Sequence, residues 1–308
     1  MRQTLYLIGN GFDLFHGLPT SYADFKEFVF DRAPHIYRAA ERYLDVRENW
    51  SDLEASLATF DTDGVIQDLE HFAPSYGADD WSDSGHHDFQ YEVDKVIAAL
   101  SEQMRDALAA WIRALPTDTV QPRLGSLPKE AHYLSFNYTD TLERAYGIPA
   151  ARVVHIHGQA SVEGAELVLG HAWAEEQRTL LSSDVHSQDQ DPRQVEVNQL
   201  LDEYFNDTFK PSQQIIQQLQ PVFMQLTGVT EVVILGHSLA EVDRPYLREL
   251  LLLDTIRAAR WTVACRDRQE ATEKFKTLIY LGVPVEGVSV VHWDELVLAG
   301  SVTGTSQR

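Results

Sequence analysis

The sequence predicts an α/β fold: a Rossmann-like open, mostly parallel sheet that carries a large helical insertion. Three observations predict it. Seven short runs are apolar and β-branched, and most are continuous instead of alternating, as expected of strands covered on both faces. Helical patterns separate several of them, which fits crossover connections. From Tyr22 to about Lys129 the alternation stops, leaving helical patterns and no convincing strand.

In chain order the strand candidates are residues 4–8, 132–136, 152–156, 166–169, 231–235, 261–265 and 288–292. Ser21 followed by Asp24, and Ser51 followed by Glu54, read as capped helix starts. Phe89, Val93, Val96, Leu100, Met104, Leu108, Trp111 and Leu115 have the spacing of one long amphipathic helix, ended by Pro116. Residues 1–26 and 129–308 are therefore expected to form the sheet domain, with 27–128 as the insertion. The polar stretches 75–88 and 174–194 are expected to be loops, with His86 and His87 solvated there instead of binding metal.

Composition narrows the function. The formal net charge of -22 and the lack of any Lys/Arg cluster disfavour nucleic acid as a partner, because phosphate backbones are held by clustered cations. No run is long enough to span a bilayer, and the first apolar run stops at Ile8 without a basic segment before it. A cytoplasmic protein with no membrane contact is expected. The single cysteine, Cys265, excludes an internal disulfide and a multi-cysteine zinc module, and its apolar neighbours mark it as a core thiol.

Four clusters could carry chemistry, each at the end of a strand candidate. IGNGFD (8–13) puts Gly9, Asn10 and Gly11 where a chain turns sharply or lets a ligand reach its backbone amides. A tight βα turn and a phosphate cradle are both open, since the third glycine of the dinucleotide fingerprint is missing. LSFNYTDTLERAYG (134–147) runs a strand into Asn137, with Thr139 and Asp140 suited to capping the next helix or touching a ligand. VVHIHG (153–158) points His155 and His157 to one face, and His157 before Gly158 is placed to leave the sheet as a general base. VVILGHSLAEVD (232–243) offers Gly236 and Ser238 as a further cradle; the second glycine of a serine-hydrolase elbow is absent.

These stretches, with WSDLE (50–54) and LVLGH (167–171), resemble the AbiH family of bacterial phage abortive-infection proteins, in the same order along nearly the whole chain. More distantly, the layout is similar to sirtuin-type NAD-binding proteins. Gly9-Asn10-Gly11, Gly17-Leu18-Pro19, Asn137, His157-Gly158 and Gly236-His237-Ser238-Leu239 stand where that family has its glycine loop, Gly-x-Pro segment, Asn, His-Gly and Gly-x-Ser-Leu. The departures are the missing zinc cysteines and Thr139 in place of the sirtuin Asp, with Asp140 beside it.

This resemblance implies NAD as substrate or ligand and an antiphage effector that cleaves the nicotinamide glycosidic bond, with no metal. Asn137 and His157 would be catalytic; Gly9, Asn10, Gly11, Asp13, Pro19, Thr139, Asp140, Gly158, Gly236, Ser238 and Leu239 would hold the nucleotide. The helical insertion, a homo-oligomer or a regulatory partner would restrain the activity. Two other readings stay open: a non-catalytic module sensing NAD or an ADP-ribose-type nucleotide, and a metal-dependent nuclease built on Asp13, Glu54, Asp140 and His157. The roles of Asp13 and His16 are undecided between ligand contact, capping and packing.

Overall fold

The computed structural model describes residues 3–74, 87–172, 178–184 and 191–297. His86, most of the 75–88 stretch and much of the 174–194 stretch lie outside the described residues. The described chain divides into two compact units: residues 1–21, 112–167 and 211–308, and residues 22–111 and 168–210. The helical unit thus takes in 168–210, which lies beyond the insertion expected at 27–128, while 112–128 belongs with the sheet.

The sheet unit contains six parallel strands: β1 (Gln3–Ile8), β2 (His132–Ser135), β3 (Val153–His155), β4 (Val229–Leu235), β5 (Arg260–Cys265) and β6 (Val288–His292). Their order is β3-β2-β1-β4-β5-β6, the doubly wound Rossmann order. The continuous apolar runs are explained by burial: Leu5, Leu7, Val232, Ile234, Trp261 and Val263 are fully enclosed. Trp261 illustrates the balance, because its indole N–H donates to the Ile256 carbonyl at 3.0 Å while its rings are buried. Burying such a side chain contributes on the order of 2–3 kcal/mol.

Two local expectations are corrected. Residues 166–169 form no strand; the Leu167 side chain lies against Gly158, and the division between the two units falls directly after it. The long helix expected from Phe89 to Leu115 is two helices, Asp88–Leu100 and Glu102–Arg113. The break is at Ser101, whose backbone leaves the helical region at φ -114° and ψ -94° while its amide and its hydroxyl both donate to the Ile97 carbonyl.

The helical unit is built around aromatic packing. Trp50 is fully buried, with Phe25 and Tyr37 against its rings, and its indole N–H donates to Glu41 Oε1 at 2.7 Å. Tyr204 packs on Phe60 and donates its hydroxyl proton to the Leu57 carbonyl. The capped start expected at Ser51 moves to Leu53–Ser56, with Asp52 preceding it. Glu54 cannot complete a capping box because its carboxylate is engaged by Tyr22 and Lys210.

Candidate functional site

In an open parallel sheet the ligand crevice lies outside the carboxyl ends of the strands, where the chain order reverses. Here that place is between β1 and β4. The residues following these strands are Gly9-Asn10-Gly11 and Gly236-His237, and the two loops interlock. The Gly9 amide donates to the Leu235 carbonyl at 3.0 Å and the Gly11 amide to the Gly236 carbonyl at 2.9 Å. A Cβ on Gly9 would sit 2.4 Å from His237 Cα, and one on Gly236 2.0 Å from the Phe12 nitrogen. Loop-on-loop approach therefore accounts for these glycines, and the Gly9 and Gly11 amides are already donated.

A polar cluster is buried beside this contact. The helix Gly11–Phe15 carries Asp13 into the interior, where its Oδ2 accepts from the Thr139 hydroxyl at 2.6 Å and the Asn137 amide at 3.1 Å. Asn137 also donates to the Gly9 carbonyl at 3.1 Å, so it ties the end of β2 to the β1 loop. The remaining oxygens, Asp13 Oδ1 and Asn137 Oδ1, are buried without a hydrogen-bond partner. Burial pushes the Asp13 carboxyl up to about 6, against the opposing bonds from Thr139, Thr141 and Asn137 and the nearby His155.

His155 takes a structural place in the sheet. Its Nδ1 faces the Asn137 carbonyl at 3.1 Å and its Nε2 faces Glu143 Oε1 at 2.9 Å. Burial pulls its pKa down, but the Glu143 bond and charge and the Asn137 carbonyl outweigh this and leave it raised. His16 is likewise a strut: Nδ1 donates to the Phe12 carbonyl at 2.7 Å, so Nε2 accepts from the Tyr146 hydroxyl at 2.6 Å. Burial lowers its pKa accordingly.

His157, beyond β3, is buried beside the Phe136 and Tyr246 rings. Its Nε2 lies 3.4 Å from Asp243 Oδ1, and His237 Nε2 lies 3.4 Å from Asp243 Oδ2. Phe136 also packs edge-on against His237, centroids 4.2 Å apart. His237 and Asp243 were not among the residues singled out from the sequence. Each strand end bearing a histidine next to a glycine, His157-Gly158 and Gly236-His237, was the signal available.

Other expected residues scatter in role. Thr139 and Asp140, with Arg113, Asp118, Tyr138 and Arg144 among others, line a cavity of about 250 Å³. Asp140 is engaged by Arg144 at 2.8 Å. The Asn10 amide donates to the Thr20 carbonyl, Pro19 and Ser238 are exposed, and Leu239 is packed in the apolar core. Gly158 adopts a φ of +85°, with the Glu166 carbonyl where its Cβ would stand. Of the carboxylate set considered for a nuclease, Glu54 is held within the helical unit by Tyr22 and Lys210. Among the described residues no three His, Cys, Asp or Glu side chains form a metal-binding group.

Among the described residues no helix is long and apolar enough to cross a membrane. No curated protein matches the chain at a significant level. A family model described as bacteriophage abortive infection AbiH matches residues 5–265, from β1 through β5. This match covers most of the chain and contains the ends of β1 to β5, and the protein belongs to the AbiH family of bacteriophage abortive infection.

Proposed function

We propose that this abortive-infection protein binds a nucleotide, NAD, at the carboxyl edge of its sheet and hydrolyses the nicotinamide glycosidic bond. The observation that carries the reading is the buried, uncompensated polar cluster at the Rossmann switch point. Asp13 is bonded there by neutral side chains, and Asp13 Oδ1 and Asn137 Oδ1 lack partners. Such groups are retained where a ligand supplies what the fold does not.

In the reaction, water adds to the anomeric carbon as the bond to the pyridinium nitrogen breaks, giving nicotinamide, ADP-ribose and a proton. Asn137 orients the ribose or the attacking water, and His157 accepts the proton. The polar cavity beside Thr139 and Asp140 offers hydroxyl and carboxylate groups to a ribose. Because the Gly9 and Gly11 amides are donated to the β4 loop, a pyrophosphate reaches them only if the two loops part. That same interlock supports a second reading, a non-catalytic sensor in which nucleotide binding opens the loops and a partner reads the change.

The test is incubation of purified protein with NAD, with and without extract of phage-infected cells, following nicotinamide and ADP-ribose. Asn137→Ala and His157→Ala should abolish product while retaining a cooperative unfolding transition. Tight NAD binding with no product under either condition would replace the hydrolase with the sensor. Absence of binding would remove both.

A further inference from the structure

The cavity of about 250 Å³ just beyond β2 carries two arginines, and they are held differently. Arg144 sets its Nε on Asp140 Oδ2 at 2.8 Å, so its charge is matched within the protein. Arg113 sets its Nε on the Ala160 carbonyl at 2.7 Å and meets no carboxylate among the described residues. A guanidinium has five N–H donors; with Nε committed, four remain, all on the two terminal nitrogens. The Ala160 amide in turn donates to the Tyr138 carbonyl at 2.9 Å, and Tyr138 and Ser161 line the cavity. Arg113 is thereby fixed at the cavity wall with its charge uncompensated.

Asp140, on the same lining, has used only half of its carboxylate. Oδ2 accepts from Arg144, and Oδ1 accepts from no described group. The Thr117 and Ser161 side chains bring neutral hydroxyls to the lining. Its two guanidinium groups balance the carboxylates of Asp118 and Asp140, in a chain whose formal net charge is -22. An anion therefore meets less repulsion here than over the acidic surface as a whole.

Arginine at a helix end often serves that helix's own last carbonyls. Arg113 is the last residue of Glu102–Arg113, yet its bond goes to a carbonyl 47 positions further on. The glycine loops do not compete for the role of anion site, since the Gly9 and Gly11 amides are both donated to the loop after β4. A bare phosphate would bring no proton to Asp140 Oδ1, whereas a sugar phosphate brings hydroxyl donors for it.

We infer that this cavity binds a ribose phosphate: the terminal nitrogens of Arg113 take two phosphate oxygens side by side, and Asp140 Oδ1 accepts from a ribose hydroxyl. Binding in this way leaves the glycine loops closed. That the whole ligand is NAD rests on the nucleotide reading above, whereas the ribose-phosphate contacts do not.

Ligand-observed NMR titrations of the full chain with ribose 5-phosphate, ribose and inorganic phosphate test the site. Wild type should bind ribose 5-phosphate more tightly than either of the others. Arg113→Gln should weaken ribose 5-phosphate about 10- to 100-fold and leave ribose unchanged. Arg113→Lys, which keeps the charge without the fork, should recover part of the loss. No ribose 5-phosphate binding to wild type, inorganic phosphate bound as tightly, or an equal loss of ribose in Arg113→Gln would overturn the inference. NAD bound equally by wild type and Arg113→Gln would remove Arg113 from the site and leave the NAD reading. Ribose 5-phosphate binding as expected, with no NAD binding, would keep the site and remove that reading.

Discussion

Two carboxylates, Glu54 half-buried and Asp13 fully buried, are handled in opposite ways. In the helical unit Glu54 receives the Tyr22 hydroxyl on one oxygen and the Lys210 ammonium, itself fully enclosed, on the other, each at 2.9 Å. In the sheet unit Asp13 Oδ2 receives the neutral donors Thr139 and Asn137 with no cation bonded to it, and its second oxygen receives none. Glu54 is a finished internal ion pair, whereas Asp13 is an acid whose charge the fold leaves unmatched. A completed pair points to architecture, and an incomplete one at a strand end points to a ligand or a proton.

The largest expected effect breaks the finished side. Lys210→Met leaves the half-buried Glu54 carboxylate without its cation and should lower stability by about 2–4 kcal/mol in denaturant unfolding. Replacing both partners, Glu54→Leu with Lys210→Met, should recover much of that loss. If Lys210→Met unfolds at the wild-type midpoint, Glu54 is not the structural member of the comparison.

Asp13 predicts a pH signature of the opposite kind. Its folded-state pKa, about 6, lies above the ordinary 3.8, so between these values the folded protein keeps a proton that the unfolded chain has released. Asp13 therefore lowers stability as pH rises through that window, by up to about 3 kcal/mol at 1.36 kcal/mol per unit, and the loss is complete above it. Unfolding measured from pH 4 to 7 should show this fall in wild type and not in Asp13→Asn. His155 acts in a separate window: its raised pKa gives stability that is full below the ordinary 6.5 and lost as pH rises through the folded value. Bound nucleotide that bonds to Asp13 should reshape the Asp13 window and leave the His155 window in place.

Much of this contrast was legible in the sequence at the level of position. Apolar runs that stop at Gly9, Asn137, His157 and Gly236 mark the ends of buried strands, and the polar residues just beyond them are placed at the carboxyl edge of the sheet. Pairing was not legible. Nothing in the spacing of His237 and Asp243 shows that the loop after β4, with its positive φ at Leu239, places Asp243 near both His237 and His157. The run at 166–169 looks like a strand because packing such as that of Leu167 on Gly158 selects the same apolar side chains as burial in a sheet. The helical period likewise runs through Ser101, since the apolar spacing continues across the break.

A smaller effect tests why the loops interlock. Gly9→Ala pushes a methyl into the His237 backbone, which has no flexible end to yield, and should lower stability by about 1–3 kcal/mol. Gly282, at a φ of +104° with nothing within 4 Å of its Cβ position, is the control: alanine there meets backbone strain alone, roughly 1 kcal/mol. If Gly9→Ala is as mild as Gly282→Ala, the loops already part readily, and the amides of Gly9 and Gly11 become accessible to a phosphate without a large rearrangement.

The smallest stability effect belongs to Arg144→Gln, and its value lies in what else it changes. The Arg144 side chain is 48% exposed and meets Asp140 four residues earlier, so solvent screens most of the attraction and the unfolding midpoint should not move measurably. Asp140, however, lies on the wall of the cavity and is itself only 10% exposed, so removing the guanidinium changes the charge a ligand meets there. If that cavity receives a nucleotide ribose, Arg144→Gln should alter NAD affinity in titration calorimetry while stability stays constant. An unchanged affinity would place Asp140 with Glu54 on the architectural side and leave Asp13 and Asn137 as the remaining candidates for ligand contact.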